Sequence, residues 1–581
     1  MIVQMKKIML AGRQADRTAI LSLLREASVL HIEPINPELV FVSPELLKDI
    51  NRAEKAIEVL EKLKPNDSKN LEKSKAVPNL IERVESIVNE QIKLETDKNE
   101  IDKEIEKVKY WGKIDFEDLE FLRASGLHIE FFLCPQGKEE DLSAEVIQTI
   151  FTKDGISYVV AASRKQIQFA DFIKKVPEPS KDVNQLKKDL ELVKNHEIEI
   201  SEELLNISKH FHEILSYKDE LLAKKRFIEA EKSSIEEGPI FVLKGWVPID
   251  YVSDLEKALK ESKFSLGYKI DDPEIDDAPP TKLKNSWWIK PIECLYNLLG
   301  IIPGYREVDI SMFFLPFLTI FTAMLIADAG YGFIIILILL ATYKNLTAKG
   351  LPKEVLQLFI ILFGGTLIYG ILTNSYFGTS FIKLTDFDAG SPEGETFLKK
   401  LCFFIGAFHI SIAHIWKIKQ NPIGMSSLAE VGWILFAWSM YALINVLVIG
   451  EPKPFWMIPL FEISLVMILL FTSPSWNIIM AVLKGLGAIA LNAAAFLSDI
   501  ISYIRLWAVG LAGGILAVSF NQLAKPLPII FALIVLILAH LMNLALGLVA
   551  IFAHGVRLNL LEFSNHIGME WTGREYDPFK K

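Results

Sequence analysis

Arg505 stands in the stretch SDIISYIRLWAVGLAGG, residues 498–514, inside one of the most apolar parts of the chain. A guanidinium stays protonated at any relevant pH and costs roughly 2.5 to 3.5 kcal/mol at the centre of a membrane helix. A charge kept in such a place calls for a partner, functional or structural. At helical spacing its face is Ser498, Ser502, Arg505, Val509, Ala512 and Leu516, small at one end, so another body can approach it closely. A second pattern follows: His540, Asn543, Gly547, Ala550, His554 and Arg557 recur at steps of three and four as one polar or small stripe. Asn559 and Glu562 add polarity near its inner end. His540 and Asn543 can each serve as hydrogen-bonding glue between helices. As members of a stripe beside a mid-membrane arginine they are read as part of an ion path. The sequence sets none of the chain's own carboxylates clearly opposite Arg505.

Other chemistry finds little support. No GxxxxGK[ST] phosphate loop is present, KGLGAIA is too weak a glycine pattern, and HEIEI and HEILS each lack the second histidine of a metalloprotease helix. Cys134, Cys294 and Cys402 lie far apart, without CxxC or Cys/His spacing, and read as buried or incidental thiols. Catalysis within the chain is not expected, nor is a cofactor or a metal. His409 and His414, five apart in FHISIAHIW, are read as packing or gating residues. Asp328 is either a helix-break cap or a residue of a water cavity.

The elements that must position these residues follow from composition. Of 581 residues 51% are hydrophobic and 23% charged, which two unlike halves explain most simply. Charge crowds into residues 1–290, and the net charge of −10 offers no basic face for nucleic acid. The start lacks a long apolar h-region and a small-residue cleavage site, so the charged half is expected in the cytoplasm. It opens strand, amphipathic helix, strand, with further strands expected at LHIEFFLCP, ISYVVAAS and PIFVLKGWVP. Two long charged segments carry heptad-like seams. One runs Val84, Ile87, Gln91, Leu94, Lys98, Ile101, Ile105, Val108; the other runs from Val183 through Leu186, Leu190, Ile200, Leu204, Ile207 and Ile214 to Leu221. The pair is expected to form two antiparallel coiled-coil helices beside a cytoplasmic α/β domain.

The run DDPEIDDAPPTKLKN marks the join, giving a cytoplasmic α/β and coiled-coil arm at 1–270, a linker at 271–309 and a membrane domain at 310–581. Apolar spans fall at 310–343, 354–376, 397–417, 427–449, 455–473, 485–521 and 527–563. The lysine-rich loops YKNLTAKGLPKE and WKIKQN should both face the cytoplasm. The first span then becomes a tight hairpin breaking near ADAGYG, where Asp328, Gly330 and Gly332 weaken the helix. About eight transmembrane helices result, with the C-terminus cytoplasmic. The last two spans, at about 1.5 Å per residue, exceed a core of roughly 30 Å and must tilt or project.

These residues resemble a family, the membrane-embedded stator subunit of V-type and archaeal-type rotary ATPases, called subunit a or subunit I. SDIISYIRLWAVGLAGG is similar to its S-Y-x-R-L-[FW]-A-L-x-L segment and HGVRLNLLEF to its H-x-x-R-L-x-x-x-E-F segment. LKGWVP, PPTKLKN, YREVDISMFFLPF, ADAGYG, YGILTNSYFG and YDPFKK add support across most of the second half. Two departures stand out: Ile310 and Ser311 replace a usual proline and threonine, and Gly513 stands where some members carry a histidine two turns after the arginine. The compact loops suit a bacterial or archaeal version, a multi-pass protein of the cell membrane.

The resemblance implies a subunit that is not itself an enzyme and that faces a rotating proteolipid ring of c, K or L type. It couples proton or sodium translocation to ATP hydrolysis or synthesis. Arg505 would favour the ionised form of each arriving rotor carboxylate, and two offset half-channels would load the ring, one of them along His554, Arg557 and Glu562. The candidate ion-translocation set is Arg505, Arg557, Glu562, His554, Asp499, Ser502, His540, Asn543 and Asp328. The implied partners are the ring, the peripheral stalks, a central-stalk d/C-type subunit, the catalytic head through the stalks, and lipid. Two other classes stay open: a secondary transporter in which Arg505 binds an anionic substrate, weakened by the lack of an evident inverted repeat, and a scaffold or sensor whose buried charges pair only structurally.

Overall fold

Strand β1 (Met5–Arg13) buries Ile8, Leu10 and Gly12 on one face, the alternation that a half-buried strand requires. The computed structural model describes residues 1–580 except 37, 39, 64–76, 113–115, 179–180, 349, 381–388, 423 and 475–476; Lys349 of the first lysine-rich loop therefore lies outside the described residues. The chain folds as two units, one of Met1–Asp16, Ser22–Glu33 and Gly238–Phe579, the other of Arg17–Leu21 and Pro34–Glu237.

In the first unit β1 lies between β3 (Ile240–Pro248) and β4 (Leu266–Asp271), with β2 (His31–Glu33) on the far side of β3; every pairing is antiparallel. Gly245 is required where β2 and β3 meet, because a Cβ there would sit 2.7 Å from the His31 carbonyl oxygen. The segment after the last helix returns to this sheet. Tyr576 N–H bonds to the Thr281 carbonyl (3.1 Å) and Phe579 N–H to the Leu30 carbonyl (2.7 Å). Arg574 reaches Glu33 at 3.2 Å.

In the second unit, strands expected at LHIEFFLCP and ISYVVAAS are His128–Pro135 and Ile156–Ser163, joined in one sheet by Val146–Lys153 and Lys174–Val176. The long charged segments are helices Val77–Val108 and Val183–Ser208. Arg83 pairs with Glu203 (2.7 Å) and Lys98 with Glu197 (3.3 Å), so one helix descends as the other rises. Ile81, Val84 and Ile87 bury against Ile200, Leu204 and Ile207. The seam counted unbroken from Val183 to Leu221 is not one helix. It stops at Ser208 and restarts at Phe211, where bonds slip to i→i−3 (Lys209 N–H to Asn206 O, His210 N–H to Ile207 O).

The apolar half of the first unit contains α1 (Ser311–Ile326), α2 (Ala329–Ala348), α3 (Lys353–Leu372), α4 (Pro392–Gln420), α5 (Ser426–Ile444), α6 (Met457–Phe471), α7 (Ile478–Ser502), α8 (Ile504–Ala524) and α9 (Ile529–Ala550). Six helical runs among the described residues are long and apolar enough to cross a membrane, counting α7 with α8, and α9 with its continuation to Ile567, as one run each. Helices α1 and α6 are shorter apolar helices.

The 310–343 span breaks at Ala327 and Asp328, but glycine does not weaken it there. Gly330 and Gly332 lie inside α2, and a Cβ on Gly332 would come within 2.7 Å of the Leu367 amide of α3. Gly365 of α3 faces Thr319 of α1, and Gly370 faces the Asp328–Ala329 turn, so α1 and α2 run in opposite directions along α3. The two longest runs are also interrupted, which periodicity did not suggest. Tyr503 separates α7 from α8, and π-helical turns occupy Ile551–Val556 and Leu558–Phe563 before a last short helix, α10 (Ser564–Ile567).

Candidate functional site

Tyr503, at the break between α7 and α8, is fully buried, and its hydroxyl meets His409 Nδ1 at 2.9 Å. Two residues later Arg505 donates through Nε to the Ser502 carbonyl at 2.9 Å, taking up a carbonyl at the helix break. Its Nη2 donates to Glu562 Oε1 at 2.6 Å. The chain therefore does supply a carboxylate opposite Arg505, contrary to the expectation from sequence. That contact is tertiary, between segments 57 residues apart. Arg557 and Glu562 are five apart and diverge on an α-helix, but the π-helical i→i+5 turn stacks such residues. Arg557 Nε accordingly lies 3.8 Å from the same Glu562 oxygen. The side chain of Glu562 is 5% exposed, that of Arg505 23% and that of Arg557 54%.

The other candidates fall into separate places. His554, half-buried, has its Nδ1 buried with no hydrogen-bond partner among the described residues. Ser502 donates to the Ser498 carbonyl at 2.9 Å. Asp499 pairs with His566 of α10 at 3.0 Å, and the His566 ring lies 5.5 Å from that of His414, which bonds Glu430. His409 is buried and stacked between Phe317 and Phe563, with centroids 3.7 and 4.1 Å away.

His540 and Asn543 meet at Tyr331 of α2. Asn521 donates its amide N–H to the Phe377 carbonyl (2.6 Å), which leaves Asn521 Oδ1 to accept from His540 Nε2 at 3.2 Å. His540 Nδ1 is then the acceptor for the Tyr331 hydroxyl at 2.7 Å. The Tyr331 oxygen and the Gly513 carbonyl each accept from Asn543 Nδ2 at 3.0 Å. Beside this chain of bonds lies a cavity of about 180 Å³ lined by Val509, Ala512, Gly513, Asn543 and Gly547, room for a few waters.

Asp328 is a cap. It is 3% exposed. Its Oδ1 accepts from the backbone N–H groups of Gly330, Tyr331 and Phe377 (2.8, 3.3 and 2.9 Å), and Oδ2 from Gly378 N–H and Ser375 Oγ (3.0 and 2.9 Å).

Sequence reasoning passed over Tyr331, Asn521 and His566. Tyr331 lies inside ADAGYG, which drew notice for Asp328 and its glycines, and His566 lies one turn beyond Glu562, where extending the polar stripe would have found it.

No protein-family model matches the chain. It is 30% identical over 625 residues to the V-type ATP synthase subunit I of Borreliella burgdorferi, covering 100% of both chains. It is 31% identical to V-type ATP synthase subunit I 1 of Treponema pallidum over 58% of each chain. With the A-type ATP synthase subunit I of Methanocaldococcus jannaschii it shares 25% identity over 58% of this chain and 55% of that protein. Among solved structures, the crystal structure of the cytoplasmic N-terminal domain of subunit I, homolog of subunit a, of V-ATPase aligns with 46% of this chain and 99% of its own at 19% identity and a TM-score of 0.22. On the full-length match, the chain belongs to the V-type and A-type ATP synthase subunit I family.

Proposed function

We propose that the chain is the membrane stator of its rotary complex, in which Arg505 discharges carboxylates carried past it by a proteolipid ring. The observation that carries this reading is the arginine's setting. A fixed guanidinium, partly exposed on a helix with small neighbours, stands beside Glu562 and Arg557 in an apolar half. In such surroundings a positive charge lowers the pKa of an approaching carboxyl, so the arriving group releases its proton or sodium ion. The same charge repels cations that would leak across. The surface of α7, α8 and α9 agrees with an apolar neighbour: 11% of the most apolar window of each run is buried within the chain, against 50% for α4 and α5.

Two access paths serve the site in this reading. The inner one follows His554, Arg557 and Glu562, with Asp499 and Ser502 at its side. The outer one follows His540 and Asn543, completed by Tyr331 and the adjoining cavity. Asp328 acts on the outer path indirectly, by holding Tyr331 and the 375–378 turn. The about eight-helix topology, the antiparallel coiled-coil arm and the division at 1–270, 271–309 and 310–581 belong to the same proposal. In it the arm transmits torque to the peripheral stalks, the central-stalk d/C-type subunit docks nearby, and the catalytic head makes or consumes ATP. The chain itself catalyses nothing. The return of residues 574–579 to the β1–β4 sheet supports placing both ends of the chain on one side, taken as the cytoplasm.

The test is R505A in membranes containing the whole complex, with ATP-driven ion pumping measured alongside recovery of the other subunits. Assembled complexes should hydrolyse ATP without pumping. Normal coupled pumping by an assembled R505A complex rules the reading out.

A further inference from the structure

The charges around Glu562 do not balance. Two guanidinium groups and one carboxylate converge, with Glu562 Oε1 2.6 Å from Arg505 and 3.8 Å from Arg557. The second oxygen, Oε2, is buried and accepts no hydrogen bond among the described residues. Arg505 is anchored by its bond to the Ser502 carbonyl, whereas Glu562 and Arg557 share the widened π-helical turns after α9. Nearly all of Glu562 is buried while more than half of Arg557 is exposed.

We propose that Glu562 is a resident counter-ion exchanged between the two arginines. It holds Arg505 while no visitor is present and passes to Arg557 when a carboxylate of another subunit reaches Arg505. The proposal rests on the stator reading and specifies how that site turns over. No covalent bond is made or broken; ionic partners are exchanged. At rest the pair Arg505–Glu562 leaves Arg557 over, a net charge of +1. With an ionised visitor the pairs are visitor–Arg505 and Glu562–Arg557, and the cluster is neutral. At neither stage does a buried anion lack a guanidinium, so the exchange avoids an uncompensated buried charge. It also answers how a fixed arginine lets go: Glu562, already adjacent, takes Arg505 back as the visitor leaves.

The experiment is a double-mutant cycle in membrane vesicles containing the whole complex, reading ATP-driven pumping per assembled complex. R557A strands Glu562 on Arg505, where it competes with the visitor, and E562Q leaves nothing to reclaim Arg505. Each should lower pumping about tenfold, within the range of coupling between contacting charges. In the double variant R557A/E562Q the competitor is gone, so removing Arg557 should add nothing, and pumping should stay within about twofold of E562Q alone. R557K, which keeps a cation, should retain most of the rate. If R557A does not assemble, R557Q carries the same comparison. Losses that multiply to about a hundredfold in the double variant overturn the exchange. Normal pumping by either single variant also overturns it. R505A is the control: normal pumping there removes the stator reading itself, a result distinguishable from failure of the exchange.

Discussion

Five donors converge on the carboxylate of Asp328, four of them backbone N–H groups, and they tie the start of α2 to the turn after α3. Bonds to an ionised acceptor are the strong ones, and a buried donor left without a partner costs about 1 to 3 kcal/mol. In D328N one oxygen becomes an NH2 group facing other donors, so at least one of those bonds is lost. The 373–380 turn should then be cut faster by protease in detergent-extracted complex, and an unchanged cleavage rate would remove the clamp role. At this scale sequence served well where a residue's type alone speaks. A charge at 505, a histidine at 540 and an asparagine at 543 stand out in apolar surroundings whatever their geometry. It failed where geometry decides. Glu562 meets Arg505 through tertiary packing and stacks on Arg557 where the helix widens at 558–563, and a count at 3.6 residues per turn cannot see a π turn.

Helix α8 lies against α1 only because Gly510 has no side chain: a Cβ there would overlap the Met324 carbonyl oxygen. One turn on, Gly513 differs, since its Cβ would find Asn543 Oδ1 at 3.8 Å, an ordinary contact, beside the small cavity. The two glycines therefore predict opposite outcomes for one substitution. G510A forces helices apart and should cost about 1 to 3 kcal/mol, seen as a lower thermal midpoint of the extracted complex. G513A should leave that midpoint unchanged, a stability change within about 0.5 kcal/mol, and pumping within about twofold of the unmodified protein. An equal effect of the two would show that α1 does not set the position of α8. The apolar runs were legible because lipid-length hydrophobicity is a property of composition. The interruption at Tyr503 was not, because neither proline nor glycine marks it; the buried bond to His409 and the stacking around that ring belong to tertiary packing.

At the scale of the whole chain, the last residues are sewn into the first strands. His31 Nδ1 of β2 lies against the backbone of Asp577, 3.0 Å from its carbonyl oxygen and 3.2 Å from its amide nitrogen. Burial pushes the His31 pKa below the ordinary 6.5, against the smaller opposing effect of Asp577. Beside it, burial acts to raise Glu33, but Lys244, Trp246 and Arg574 together hold it below its ordinary 4.5. The signs separate the two groups in pH. A histidine lowered in the docked state takes up its proton more readily once the tail is free, so docking is fully stable above about 6.5 and weakens as pH falls below that value. Glu33 contributes above about 4.5 and is lost only as pH falls through its lowered value. Loosening in mildly acidic solution therefore belongs to His31. Protection of the Tyr576 and Phe579 amides from hydrogen exchange, corrected for intrinsic rate, should drop between pH 7.5 and 5.5, and H31N should make it level over that interval. Protection that falls equally in H31N would mean that another group governs the tail. The tail leads directly from the turns carrying Arg557 and Glu562, so the sheet that holds it also fixes one end of the candidate ion path.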